Sequence, residues 1–98
     1  DPLALALAQE AVRTGDDLKL PVPKRRFLYL PYEHSESRAV HVVAVKLFES
    51  LGDAEALKYE LLHKEIIDRF GRYPHRNATL GRASTDEERA FMKDNKGF

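Results

Sequence analysis

Cysteine is missing from this sequence altogether. That excludes a disulfide framework and any thiolate metal site, and it fits a reducing compartment. Net charge is missing too: 16 basic side chains balance 16 acidic ones, and the two signs also balance within residues 1–50 and within residues 51–98. A nucleic-acid footprint needs a basic excess on one face, so no nucleic-acid partner is expected. No apolar run approaches the roughly 20 residues of a bilayer span, and 33% of the residues are charged, so no membrane partner is expected either. A targeting signal is also absent. The opening DPLALALAQEAV begins with an acid and contains Gln9 and Glu10, unlike a secretory signal. These features predict a cytoplasmic chain, in which the acceptor-like triplet Asn77-Ala78-Thr79 occurs by chance.

What is present is one domain's worth of chain: 98 residues, 43% of them hydrophobic, enough for a single core. Asp1 reads as an N-cap and Pro2 as the first residue of a helix that Gly15 stops. The prolines within DDLKLPVP make residues 16–23 a loop, and residues 24–30 read as a helical turn ending before Pro31. The run Ala39–Val45 has strand-like propensity. Against it, Val40, Val43, Ala44, Leu47, Phe48 and Leu51 recur at helical spacing, so residues 38–51 are read as a helix with Ser35 or Ser37 as its cap. Asp53 caps the clearest helix and Gly71 ends it at Phe70; Ala56, Tyr59, Leu62, His63, Ile66, Ile67 and Phe70 share one face. Residues 72–83 have no periodicity. Ser84 and Glu87 then match a capping box for a last helix running to about Asn95. There is no internal repeat. The fold class is all-α, an array of antiparallel helices.

The aperiodic loop is the most informative feature for function. A loop of this length in a compact helical domain tends to be functional. Between Arg69 and Thr85 there is no acidic residue, while Arg69, Arg72, Arg76, Arg82 and His75 are all present. Guanidinium groups offer planar, paired donors for phosphate or carboxylate. The leading reading is therefore a binding module for a small anionic ligand or an acidic peptide. Arg72, Arg76 and Arg82 would supply charge, and His75 and Asn77 directional hydrogen bonds. The competing reading has the same arginines bonding loop carbonyls and neighbouring carboxylates.

Glu33-His34-Ser35-Glu36 sits at a bend entering a helix. His34 and Glu36 suit zinc, iron or manganese, but two local ligands make no site, and a third would have to come from His63 or His75. With no HExxH motif and no i,i+4 histidine pair, neither metal nor cofactor is expected. His63 lies mid-helix on an apolar face, where burial would suit a general base. If the loop folds back, His34, His63 and His75 converge, and a hydrolase-type enzyme with Glu36 as base or ligand is the alternative function. His41 reads as incidental. The run Lys24-Arg25-Arg26 reads as solvated, and no glycine-rich phosphate loop or nucleophile elbow exists.

Several uncommon strings then occur in order: FLYLPYEHSES at residues 27–37, LFESLG at 47–52, HKEIIDRFGRYPHRN at 63–77, and LGRASTDEE at 80–88. In these the sequence resembles a bacterial family of uncharacterised proteins, domain of unknown function 924, over its whole length. The resemblance implies antiparallel helices in a superhelical array similar to tetratricopeptide-repeat proteins. It places the family's motif residues at Glu33, His34, Ser35, Glu36, His63, Arg69, Arg72, His75, Arg76, Asn77 and Arg82, and implies no activity. His41 departs from the family's usual glutamine. The family also carries further helices ahead of this region, so the chain reads as the C-terminal part of a longer domain. Missing helices would leave apolar surface that favours a homo-oligomer, the third reading of its role.

Overall fold

The computed structural model describes residues 2–95, and within them every regular element is helical. The α-helices are α1 (Pro2–Thr14), α2 (Val22–Glu33), α3 (Arg38–Ser50), α4 (Ala54–Phe70) and α5 (Asp86–Asp94), with 3-10 turns at Asp16–Lys19 and Pro74–Arg76. The first four pack in chain order, α1 on α2, α2 on α3 and α3 on α4, while α5 packs beside the Pro74–Arg76 turn. The radius of gyration is 14.3 Å and the extents are 44 × 27 × 19 Å. A spherical domain of this length would have a radius of gyration near about 12.5 Å, so the helices form a row. The all-α array is thus the fold of this chain. The cap read at Asp1 lies outside the described residues.

Local signals explain most boundaries. Asp53 accepts from the backbone N–H groups of Glu55 and Ala56, starting α4, and Ser37 accepts from Val40, starting α3. Gly71 ends α4 in the left-handed conformation, φ 74°, which a residue with a Cβ adopts only at a cost. A Cβ there would also meet the Arg38 guanidinium at 3.2 Å. This turn is what sends Tyr73 back into the molecule.

Three expectations need correction. The helical turn expected at 24–30 is part of a full helix that spans Val22–Glu33 and runs through Pro31. Pro23 falls in its first turn, where no N–H is needed. Pro31 leaves only the Phe27 carbonyl without its helical partner, on a residue that is itself exposed. Residues 16–23 accordingly hold a 3-10 turn and the start of α2 rather than a plain loop. The last capping box lies one residue later than read: Thr85 and Glu88 bond reciprocally, Thr85 Oγ1 accepting from the Glu88 N–H and Glu88 Oε1 from the Thr85 N–H. Glu88 is preferred over Glu87 because its carboxylate also meets Arg72.

The third correction concerns which faces are buried. On α3 the buried residues are His41, Ala44 and Phe48; on α4 they are Ala56, Glu60, Ile66 and Ile67. Val43, Tyr59 and Leu62 are exposed. Both helices turn a stripe at three- and four-residue spacing toward the core, but each stripe carries one ionisable residue where an aliphatic one was expected. The larger apolar cluster joins Ala8, Tyr29, Tyr32, Ala44, Phe48, Leu51 and Ala56. A second, smaller one gathers Ile66, Ile67 and Tyr73 with Phe70 and Phe91. His41 and Glu60 occur in neither cluster.

Candidate functional site

His41 and Glu60 are both wholly buried, and His41 Nδ1 lies 3.0 Å from Glu60 Oε2. The other ring nitrogen, Nε2, is 2.7 Å from the Ser35 carbonyl and 3.1 Å from the Tyr73 hydroxyl. Burial alone would lower the His41 pKa, but its hydrogen bond to Glu60 and the charge of that carboxylate raise it overall. Burial raises Glu60. The two groups are thus each other's ionisable partner where solvent does not reach. Tyr73, 0% exposed, donates its hydroxyl proton to the Glu33 carbonyl at 2.5 Å. Burial, then the Glu60 charge, pushes that hydroxyl's pKa up, so it stays a donor. Four segments meet at this hub: the end of α2, α3, α4 and the turn after α4.

Two further histidines stand beside Tyr73, and a third stands beside one of them. The rings of His63 and His75 lie 5.6 and 5.7 Å from the tyrosine ring, and His34 lies 6.1 Å from His63. The backbone explains the placement: His34 is the C-cap of α2, His63 faces it from mid-α4, and the Pro74–Arg76 turn carries His75. Burial lowers the pKa of all three imidazoles, and Arg76 contributes to the lowering at His34 and His75. His63 is half-buried rather than a core residue, and its Nδ1 sits 2.7 Å from the Tyr59 carbonyl of its own helix. Glu33, 6% exposed, stands behind His34 with its pKa raised to about 7 by burial and by the nearby Glu60 charge.

The arginines of the loop divide into two kinds. Arg82 forms a two-bond fork with Glu36, both contacts 3.0 Å, and also donates to Asn77 Oδ1 and the Tyr73 carbonyl. Arg72 grips Glu88 through Nε and Nη2 at 2.8 and 2.7 Å and reaches the Ala83 carbonyl. Arg69 pairs with Glu87 on the surface and lies over the Phe70 ring. Asn77 is 1% exposed and bonds Ser84. Arg76 differs. Its guanidinium lies 4.6 Å above the centre of the Tyr73 ring, and among the described residues no carboxylate forms an ion pair with it. It borders a surface cleft of about 270 Å3 lined by Pro2, Leu5, Pro31, His34, Ser35, Glu36 and Arg76.

Of the residues expected to bind an anion, then, the fold places Arg76 at the cleft and His75 at the surface beside it. Arg72, Asn77 and Arg82 it employs in holding the loop. Of the residues proposed for catalysis it brings His34 and His63 together and sets His75 at the same tyrosine, but both oxygens of Glu36 are taken by Arg82 and the Tyr73 N–H.

Residues 1–96 match a family described as bacterial protein of unknown function (DUF924). The chain belongs to DUF924. A solved structure of a protein of unknown function from Agrobacterium tumefaciens is 39% identical to it, with a TM-score of 0.90, over 96% of this chain and 53% of that one. The chain thus spans about half the length of that relative. No curated protein matches. The family brings no assigned chemistry with it, so functional statements about this DUF924 chain rest on the geometry above.

That geometry also shows what the sequence reading passed over. In the sequence Glu33 reads as part of a bend and as one of the residues that the family resemblance marks, and His41 as incidental. One signal could have found His41 and Glu60: each falls on its helix's apolar stripe, and a lone ionisable group on one packed face needs a partner on the other. For Tyr73 the only sequence hint was an aromatic between arginines.

The Arg72–Glu88 pair has a consequence for acid stability. Its hydrogen bonds to Arg72, supported by the Thr85 N–H, hold Glu88 down from 4.5 to about 2. Folding therefore favours the ionised carboxylate. The stabilisation is complete above pH 4.5 and is lost as pH falls toward 2. Thermal melts from about pH 6 to about pH 2 should show Glu88→Gln less stable than wild type at the upper end, with the gap closing through this window. A constant gap would mean that the pair contributes through shape and not through charge.

Proposed function

We propose that this DUF924 chain is a binding module whose surface cleft takes a small organic anion, a carboxylate or phosphate with a short apolar part. The observation that supports it is the state of Arg76. A guanidinium stacked on a tyrosine ring is oriented at little entropic cost, and one without a carboxylate partner keeps its paired donors for a ligand. Pro2, Leu5 and Pro31 give the cleft an apolar wall, while Ser35 and His34 add hydrogen-bonding groups at its rim. Arg82 and Glu36 neutralise each other next to it, so Arg76 sets the sign of the local charge.

The test is a thermal-shift panel of inorganic phosphate and small carboxylates, repeated on Arg76→Ala. An anion at about 100 times its dissociation constant adds roughly 2.7 kcal/mol to a fold it binds. The expected result is a shift of that order with at least one anion, absent in Arg76→Ala. The variant itself should lose no more than about 1 kcal/mol, the worth of an exposed cation–π contact. A loss of several kcal/mol would make Arg76 scaffolding like Arg72 and Arg82, and no shift with any anion would end the proposal.

A further inference from the structure

One group of side chains beside the cleft has donor chemistry that anion binding does not use. Glu33 ends α2, His34 caps it, and His63 faces them from α4. Each offers one ligand atom, and these atoms all lie within 4.8 Å of one another; His34 Nε2 is 3.6 Å from Glu33 Oε2. Around a zinc ion, tetrahedral ligand atoms stand about 3.3 Å apart, so closure asks for a contraction of at most about 1.5 Å. His34 can supply that movement, because its side chain is 51% exposed at a helix end.

The surroundings favour a cation in two ways. His63 Nδ1 meets the Tyr59 carbonyl at 2.7 Å, which puts the ring proton on Nδ1 and leaves the lone pair on Nε2. Metal-binding histidines are commonly oriented by such a bond to a backbone carbonyl. Two buried carboxylates near the site also lack a lysine or arginine in direct contact. Glu33 and Glu60 are 6% and 0% exposed, Glu60 Oε1 has no hydrogen-bond partner, and among the described residues neither carboxylate pairs with a lysine or arginine. Their only ion-pair partners there are His34 and His41.

We propose that Glu33, His34 and His63 form a binding site for a divalent first-row transition ion, holding it by two imidazole nitrogens and one carboxylate oxygen. This donor set suits zinc and also manganese and iron, and three protein ligands leave at least one coordination position to solvent. His34 also lines the cleft, so the ion stands at the cleft wall. The site needs no anion, and its test is separate from that of the cleft.

Chelator-treated protein is titrated with Zn2+ alone by calorimetry, and with Co2+ while following its visible absorption. The expected result is one equivalent bound, with affinity falling at least about tenfold in His34→Ala and in His63→Ala. His75→Ala, outside the donor set, should bind as wild type does. His34 is half exposed, so His34→Ala is expected to keep the fold, as its melting temperature without metal will show. It decides the matter if His63→Ala fails to fold. Wild-type affinity in His34→Ala places the ion elsewhere and overturns the site. So does the absence of binding up to about 1 mM Zn2+, a threshold worth only about 4 kcal/mol.

Discussion

Glu60→Ala should cost this fold about 3–5 kcal/mol, and His41→Ala a similar amount, because each leaves its partner buried with an uncompensated charge or proton. In a domain of this size that lowers the melting temperature by something on the order of 15–30 °C. The reason is the pair's position. Neither side chain is exposed to solvent, and the imidazole links Glu60 on α4 to the Ser35 carbonyl ahead of α3 and to Tyr73 beyond α4. Removing His41 therefore breaks three contacts in different parts of the chain, and removing Glu60 takes away the carboxylate that holds the imidazole between them. Replacing both members together tests the same idea from the other side. A His41→Leu, Glu60→Met double variant removes both polar groups at once, and a buried ion pair exchanged for apolar residues of similar volume is often neutral or stabilising. The double variant should thus recover most of the stability that either alanine loses. Chemical denaturation of wild type, the two alanine variants and the double variant checks this. Single-variant losses below about 1 kcal/mol would show that water or a neighbour replaces the missing partner, and the hub would then be no stabilising centre.

That hub marks where the sequence stopped being informative. Helix existence and order were legible because the signals are local: Ser37, Asp53 and the Thr85–Glu88 box are caps within three residues of what they cap, and Gly71 is a stop in place. The face each helix buries was less legible, since helical spacing shows a stripe but not which of two overlapping stripes faces the neighbour. Val43 and Tyr59 looked better suited to the core than His41 and Glu60. The two polar residues are inside because they satisfy each other across 19 positions of sequence, and no pattern within one helix contains that pairing. The loop arginines show the same limit. Their residue type suggested an anion site, but Arg82 finds Glu36 at a separation of 46 residues and Arg72 finds Glu88 at 16. Among the described residues Arg76 forms no ion pair, and it is the one loop arginine for which the anion role is proposed. Its distinguishing feature, the stack on Tyr73, follows from the turn at Gly71 and Pro74.

Tyr73 connects these parts, and two substitutions there separate what its ring does from what its hydroxyl does. The ring is fully buried. It packs on Ile66 and Ile67, stands beside three imidazoles, and gives Arg76 its platform. Tyr73→Ala removes all of this and leaves a cavity where α4 meets the loop, so it should cost about 3–5 kcal/mol. It should also weaken anion binding beyond the loss of stability, because Arg76 and His75 then lose the surface that orients them. Tyr73→Phe keeps the ring. It removes only the hydroxyl that donates to the Glu33 carbonyl and should cost about 1–3 kcal/mol, the penalty of a buried acceptor left without its donor. Anion affinity should stay close to wild type in Tyr73→Phe and fall in Tyr73→Ala, measured at a temperature where both remain folded. Equal stability losses in the two variants would assign the residue's whole contribution to its hydroxyl. Unchanged anion affinity in Tyr73→Ala would mean that Arg76 reaches its ligand without the aromatic platform, and the preorganisation on which the cleft reading depends would be gone.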